Sequence, residues 1–188
     1  MHVGDDLLSD NNVIRRVRGG QVQEFRVLVE RHQKAVFLLA FRILGRREDA
    51  EDAAQDAFVR AYQSLHTYSD SGKFWPWIRR ITVNCCIKKL PREFPSDELE
   101  QIADAEQCSV EADVLRKCER QELRKAIAGL PAAYRTATVL RYQEDLSIRE
   151  IAELLDEPAG TIRVRLHRAL KMLSERMVVT GDGLQQDT

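Results

Sequence analysis

No stretch of 18 apolar residues occurs in this chain, so a membrane-spanning helix is not expected. The first residues, Met1 to Asp6, lack the basic segment and apolar run of a secretory leader. Only four cysteines are present, Cys85, Cys86, Cys108 and Cys118. Adjacent Cys85 and Cys86 make a poor disulfide pair, and no two cysteines show the CxxC spacing of a metal site. Buried or incidental thiols in a reducing cytosol are the expected state. There is no glycine-rich phosphate loop, no spaced set of metal ligands and no nucleophile beside a plausible base. No cofactor, metal or small-molecule substrate is therefore expected, and an enzyme is the weakest of three functional readings. No alternating apolar pattern indicates a strand, so the expected fold class is all-α.

A strong net charge is also missing. The formal charge is −1 over 188 residues, although 31% of them are charged and 44% are hydrophobic. That balance argues against a nucleic-acid partner until the distribution is considered. Arg79, Arg80, Lys88, Lys89 and Arg92 form a basic block with no acid among them. Residues 93–113 then carry acids and no base. The chain is built from blocks of opposite charge.

Helical periodicity dominates the first half. Phe25, Leu28, Val29, His32, Val36, Leu39 and Ile43 follow a 3.6-residue period, and Gly45 supplies a stop. His32 reads as a packing residue rather than a ligand. A short helix is expected over residues 11–18. Ala50, Ala53, Ala54, Ala57, Phe58, Ala61, Tyr62 and Leu65 form a second stripe, whose small alanines permit close helix approach. A third helix starts near Gly72, with Phe74, Trp77, Ile78, Ile81 and Cys85 inward and Pro76 tolerated in the first turn. Residues 93–109 read as an acidic flexible linker. Helix resumes near Val110, and residues 178–188 read as a disordered tail. The expected domains span residues 10–92 and 110–177.

Three faces carry candidate chemistry. Glu48, Glu51, Asp52, Gln55 and Asp56 share the polar side of the alanine helix, as a solvated face or as a site for a basic protein. Lys73, Trp75, Arg80, Asn84 and Lys88 lie outside the apolar side of the next helix. Cations there can track phosphates, and Asn84 can bond a base edge. Trp75 fits a base-stacking role and a packing role equally. The third face lies in residues 146–173. Ser147 and Glu150 have capping-box spacing at a helix start, Pro158 and Gly160 occupy a break, and a basic helix follows. In that helix Ile162, Leu166, Ala169, Leu170 and Leu173 fall on one side. Arg163, Val164, His167, Arg168 and Lys171 fall on the other, with Arg165 at the edge, nearer the flank that would meet the DNA backbone, as a further DNA-binding residue. This is the pattern of a helix-turn-helix, whose second helix enters the major groove.

Three segments, in this order, resemble the sigma-70 family of bacterial RNA polymerase sigma factors in its compact extracytoplasmic-function (ECF) form. The run Glu48-Asp-Ala-Glu-Asp-Ala-Ala-Gln-Asp-Ala-Phe-Val-Arg-Ala-Tyr62 is similar to the family's polymerase-docking signature. Phe74, Trp77, Ile78, Arg80, Ile81 and Asn84 resemble its promoter-melting and −10 segment. Leu130, Pro131, Tyr134 and residues 146–168 resemble its −35-reading domain. The resemblance covers residues 10–177 and implies two helical domains of sigma region 2 and region 4 type. It implies that Asp52, Gln55 and Asp56 meet the clamp helices of the polymerase's largest subunit, with the flap of the second subunit as a further contact. It also implies that Asn84 helps capture a flipped −10 base and that Arg163, Val164, His167 and Arg168 face the −35 groove. The acidic linker resembles the segment threaded toward the active-site cleft. An anti-sigma partner, a cytoplasmic location, tethering at the inner membrane through that partner, and induction by a stress or envelope signal follow from the same resemblance. Two positions depart from the pattern: Lys88 stands where the family often has an acid, and Pro91 interrupts a stretch often more basic. The competing non-enzymatic reading is a stand-alone helix-turn-helix regulator with an N-terminal dimerisation or sensing domain.

Overall fold

The structure is a computed structural model that describes residues 9–70, 72–90 and 122–182, with side chains to residue 176. Every regular element among these residues is helical. The chain divides after Leu90 into two units. The first holds α1 (Asp10–Arg18), α2 (Phe25–Leu44), α3 (Arg47–Gln63) and α4 (Phe74–Lys89). The second holds the helical residues 122–128, here α5, then α6 (Ala132–Tyr142), α7 (Ile148–Leu155) and α8 (Ala159–Asp182).

In the first unit, α2, α3 and α4 pack pairwise. The alanine stripe explains why they can. Ala50, Ala53, Ala57 and Ala61 are wholly buried, and Ala54 nearly so. With only methyl groups between them, two neighbouring backbones approach α3 closely. Larger side chains from those neighbours, Leu28, Leu39 and Ile43 of α2 and Phe74 and Ile78 of α4, fill the remaining space. Gly45 ends α2 with φ of 80°, a left-handed conformation that glycine adopts without steric cost. The expected short helix is α1. Its side chains Val13, Ile14 and Val17 are buried. Asp10 fastens it to α2, with one oxygen 2.9 Å from Arg31 and the other 2.8 Å from His32. The His32 ring also lies 5.0 Å from that of Phe74, so it packs as expected.

In the second unit, Leu130, Ala169 and Leu173 form a buried cluster beneath Ala126, Ile127, Tyr134 and Met172. Ile151, Ile162 and Leu166 bury the contact between α7 and α8. The capping box is present in full. Ser147 Oγ accepts from Glu150 N at 3.2 Å, and Glu150 Oε2 accepts from Ser147 N at 2.8 Å.

Several expectations need correction. The turn after α7 is made by Asp156, with φ of 54°, and not by Gly160. Asp tolerates this conformation better than most residues, which leaves α8 free to begin at Ala159 with Gly160 in its first turn. Leu170 belongs outside the core: it is 48% exposed. At position 170 the helix has already turned past the cluster, whose contacts come from Ala169 and Leu173. The backbone remains helical through Asp182, so the tail does not begin at residue 178. The linker 93–109, the helical start at Val110, and Cys108 and Cys118 lie outside the described residues.

The capping box yields a stability prediction. Ser147→Ala removes one cap hydrogen bond at an exposed helix start, and should lower stability of the second unit by about 1 kcal/mol. Thermal or urea denaturation of the two proteins measures it. An unchanged midpoint would show that the cap contributes nothing.

Candidate polymerase and nucleic-acid interfaces

The acidic face of α3 follows from its alanine seam. Burying positions 50, 53, 54, 57 and 61 turns Glu48, Glu51, Asp52, Gln55 and Asp56 outward, and all five are exposed. Arg47 pairs with Glu51 at 2.8 Å, the favourable i,i+4 spacing. Lys89, at the end of α4, lies 3.4 Å from Asp52 and 4.0 Å from Asp56. Sequence separation hid this cation from the expected site. The acids remain largely open to solvent, with Asp52 at 69% exposure and Lys89 at 27%, so the pairing is screened and weak.

On α4, Asn84 and Lys88 are exposed one turn apart. Together with Arg60, Gln63, Ser64, His66, Ile81 and Cys85 they line a cavity of about 400 Å³. Sequence reading found only the α4 part of this site. The α3 end and the following 3₁₀ turn (Leu65–Thr67) supply the other wall, and only a fold brings them beside Asn84. Ile81, expected in the core, borders this cavity instead. Lys73 and Arg80 are exposed but do not line it. Trp75 is half-buried rather than exposed. It stands nine residues from Asn84, about 180° around the helix, so it does not share that face. Trp77 does, being seven residues away, and it is half-buried rather than fully in the core. Its ring sits 5.4 Å from Tyr68 and 5.7 Å from Phe74, which fixes its orientation. A count of helical angle from Asn84 would have favoured Trp77 over Trp75.

Cys85 and Cys86 are buried free thiols, as expected. Burial pushes the Cys85 thiol up, and the Arg60 guanidinium partly opposes this. Burial first, then the neighbouring Cys85, push the Cys86 thiol up to about 12.

On α8, Arg163, Val164, His167, Arg168 and Lys171 are all exposed on one arc, with Val164 at 50%. Lys171 lies 3.9 Å from Glu175. Arg165 behaves differently. Its two terminal nitrogens meet the two carboxylate oxygens of Glu157 at 2.8 and 2.7 Å. This forked, partly buried pair ties the inter-helix turn to α8 and holds the guanidinium away from the arc.

Comparison with known proteins agrees with this layout. The model of Sigma-70 region 2 matches residues 28–93, and that of Sigma-70, region 4 matches residues 120–173. The ECF RNA polymerase sigma factor SigW of Bacillus subtilis is 30% identical over 176 residues, covering 87% of this chain and 94% of that protein. The ECF RNA polymerase sigma-E factor of Haemophilus influenzae is 32% identical over 183 residues, covering 90% and 96%. Among solved structures, the sigma factor RpoE of Bartonella quintana, in complex with the anti-sigma factor NepR, is alike in fold. Its TM-score is 0.64 at 22% identity, over 84% of this chain and 98% of that one. CnrH in complex with the cytosolic domain of CnrY gives 0.59 at 22% identity, over 90% and 97%. The chain belongs to the ECF RNA polymerase sigma factors of the sigma-70 family. The stand-alone regulator reading falls, because the helices it reserved for dimerisation or sensing match Sigma-70 region 2. Among the described residues no helix is long and apolar enough to cross a membrane.

The Cys86 thiol sets a pH dependence. In the unfolded chain it ionises near 9.0, and in the folded one only near 12. Ionisation therefore favours the unfolded state. The stabilisation is full below pH 9 and is lost as pH rises toward 12, at no more than about 1.4 kcal/mol per pH unit. Melting of the wild type should fall more steeply between about pH 8 and about pH 10 than that of Cys86→Ala. Parallel curves would refute the contribution.

Proposed function

We propose that the two units divide promoter recognition, with three faces engaging three surfaces. The acidic face of α3 (Glu48, Glu51, Asp52, Gln55 and Asp56) docks on a basic surface of core RNA polymerase, at the clamp helices of the largest subunit. Lys89 moves aside or joins the contact. The cavity of α4 receives an unpaired base of the −10 element. Asn84 bonds its edge, Lys88 and Arg60 hold the adjoining phosphates, and Lys73 and Arg80 extend the basic track. The arc of α8 enters the −35 major groove, where Arg163, His167 and Arg168 reach base edges, Val164 meets a thymine methyl and Lys171 holds a phosphate. Arg165 braces the turn through Glu157. Trp77 replaces Trp75 as the aromatic of the melting face.

The observation that carries this assignment is the placement of charge. The acids of α3 lie opposite a seam that must be buried, and the basic arc of α8 lies opposite Ile162, Leu166 and Leu173, which are also buried. Neither face is free to turn inward. The domain limits follow the same division: residues 10–92 for core docking and −10 melting, 93–109 as acidic linker, and 110–177 for −35 reading, with the polymerase flap as its second contact. The protein contributes no catalysis of its own and acts in the cytoplasm, in response to a stress or envelope signal. The solved relatives CnrH and RpoE were captured with CnrY and NepR. An inhibitory protein of that kind, anchored at the inner membrane, is proposed for this chain.

Two experiments test the assignment. Reversing Asp52 and Asp56 to Lys should weaken binding to core polymerase at least tenfold. The change lies on an exposed face, so stability should shift by only about 0.5 kcal/mol. Normal core affinity of the folded double variant would refute the docking face. Arg168→Ala should cost about 1–3 kcal/mol at the preferred −35 sequence and flatten preference at one or two base pairs. Selection from randomised −35 DNA by the holoenzyme reads this out. An unchanged preference would mean that the other side of α8 faces the groove.

A further inference from the structure

Arg18, on α1, spends its whole guanidinium on a segment 47 residues away. Its Nε and Nη2 donate to Leu65 O at 3.0 and 2.7 Å. Nη2 also donates to Tyr68 O, and Nη1 reaches Asp70 Oδ1 at 2.7 Å. Asn11, two turns earlier on the same helix, adds a second tie. Its Nδ2 donates to Asp70 O at 2.9 Å, and its Oδ1 accepts from the Tyr68 hydroxyl at 2.6 Å. That hydroxyl stands 2.5 Å from Gly72 O as well. Leu65 and Tyr68 are both buried, which seats the segment from below. Between these tied carbonyls lies His66, and just before them Ser64, both lining the cavity that also holds Asn84 and Lys88.

The geometry points to Arg18 and Asn11 as positioning residues for −10 selectivity. They touch no DNA. They set the backbone of residues 65–70, and through it the wall of the cavity formed by Ser64 and His66. A planar fork that satisfies two carbonyls and a carboxylate defines one backbone conformation, which a single ammonium cannot do. Without the fork, Leu65 O keeps only its 3.2 Å bond from Tyr68 N, and Tyr68 O would instead seek water and let the wall move. The inference rests on the reading of the cavity as the −10 base site, and the test separates the two.

Holoenzyme reconstituted with wild type, Arg18→Gln, Arg18→Lys, Asn11→Ala and Asn84→Ala is given promoters with a randomised −10 element and a fixed −35 element. Transcripts are sequenced, and a second library randomises the −35 element. Arg18→Gln should flatten −10 discrimination on the order of fivefold, the effect of weakening one base-edge hydrogen bond at the displaced cavity wall on an affinity ratio, and leave −35 preference and core affinity unchanged. Arg18→Lys should restore little of it, and Asn11→Ala should produce a smaller effect of the same kind. A uniform loss over all −10 sequences, or full rescue by Arg18→Lys, would overturn the positioning role. If Asn84→Ala alters −10 discrimination and the Arg18 and Asn11 variants do not, the inference fails alone. If Asn84→Ala leaves −10 discrimination unchanged, the base-site reading itself fails. Should Arg18→Gln not bind core, Asn11→Ala, which keeps the fork, decides the matter by the same readout.

Discussion

Close approach of α3 to its neighbours is the constraint on which the first unit depends. Five alanines at helical spacing leave no side-chain bulk on one side of α3, so α2 and α4 can lie against its backbone. A larger residue at Ala53 or Ala57 would meet atoms already packed at native density, and overpacking of that sort costs about 1–3 kcal/mol. Because that side is committed, the remaining side of α3 has no choice but solvent. The acidic face is thus a consequence of the core. The end of α4 is carried to the same edge, which places Lys89 beside Asp52 and Asp56.

The second unit solves a related problem with different means. Its core is small, and its short α7 has only eight residues to present. An isolated helix of that length would not persist in water. The capping box satisfies its start, the left-handed Asp156 ends it, and the Glu157–Arg165 pair fastens the turn beyond it. Arg141 Nη1 donates to Leu146 O at 2.9 Å, closing the preceding turn as well. Polar contacts at both ends of α7 thus define the angle at which it meets α8.

Periodicity made most of this fold legible before any coordinates. The alanines of the stripe, the Gly45 stop and the Ser147–Glu150 spacing are local signals, and each appears in the structure as read, whereas Tyr62 of the same stripe is 41% exposed. The errors at Leu170 and Arg165 share one cause, which is that a helical wheel knows angle but not neighbours. Leu170 has the right residue type and nearly the right angle, yet among the described residues no element of its own unit covers it. Trp75 was placed by composition near Asn84, although the helical angle sets it on the opposite side. Arg165 sits at the edge of the basic arc by angle, and only the fold reveals that Glu157 claims it. The cavity wall of Arg60, Gln63, Ser64 and His66 was illegible for a different reason. Its members are ordinary polar residues at the end of one helix, and nothing in their spacing announces that α4 will lie across them.

Helix α8 runs for 24 residues without interruption. Its first turns carry the basic arc, and Leu173 anchors it in the core about 15 Å further along the axis from Arg163, at 1.5 Å per residue. Ile162 and Leu166 also bury its contact with α7, so a lever movement about Leu173 carries α7 with it. Tilting α8 by about 10° at Leu173 sweeps Arg163 through roughly 2.6 Å, which exceeds the distance tolerance of a hydrogen bond. A protein that grips only the far end of α8 could therefore disengage the reading end from a base pair without covering a single one of its arginines.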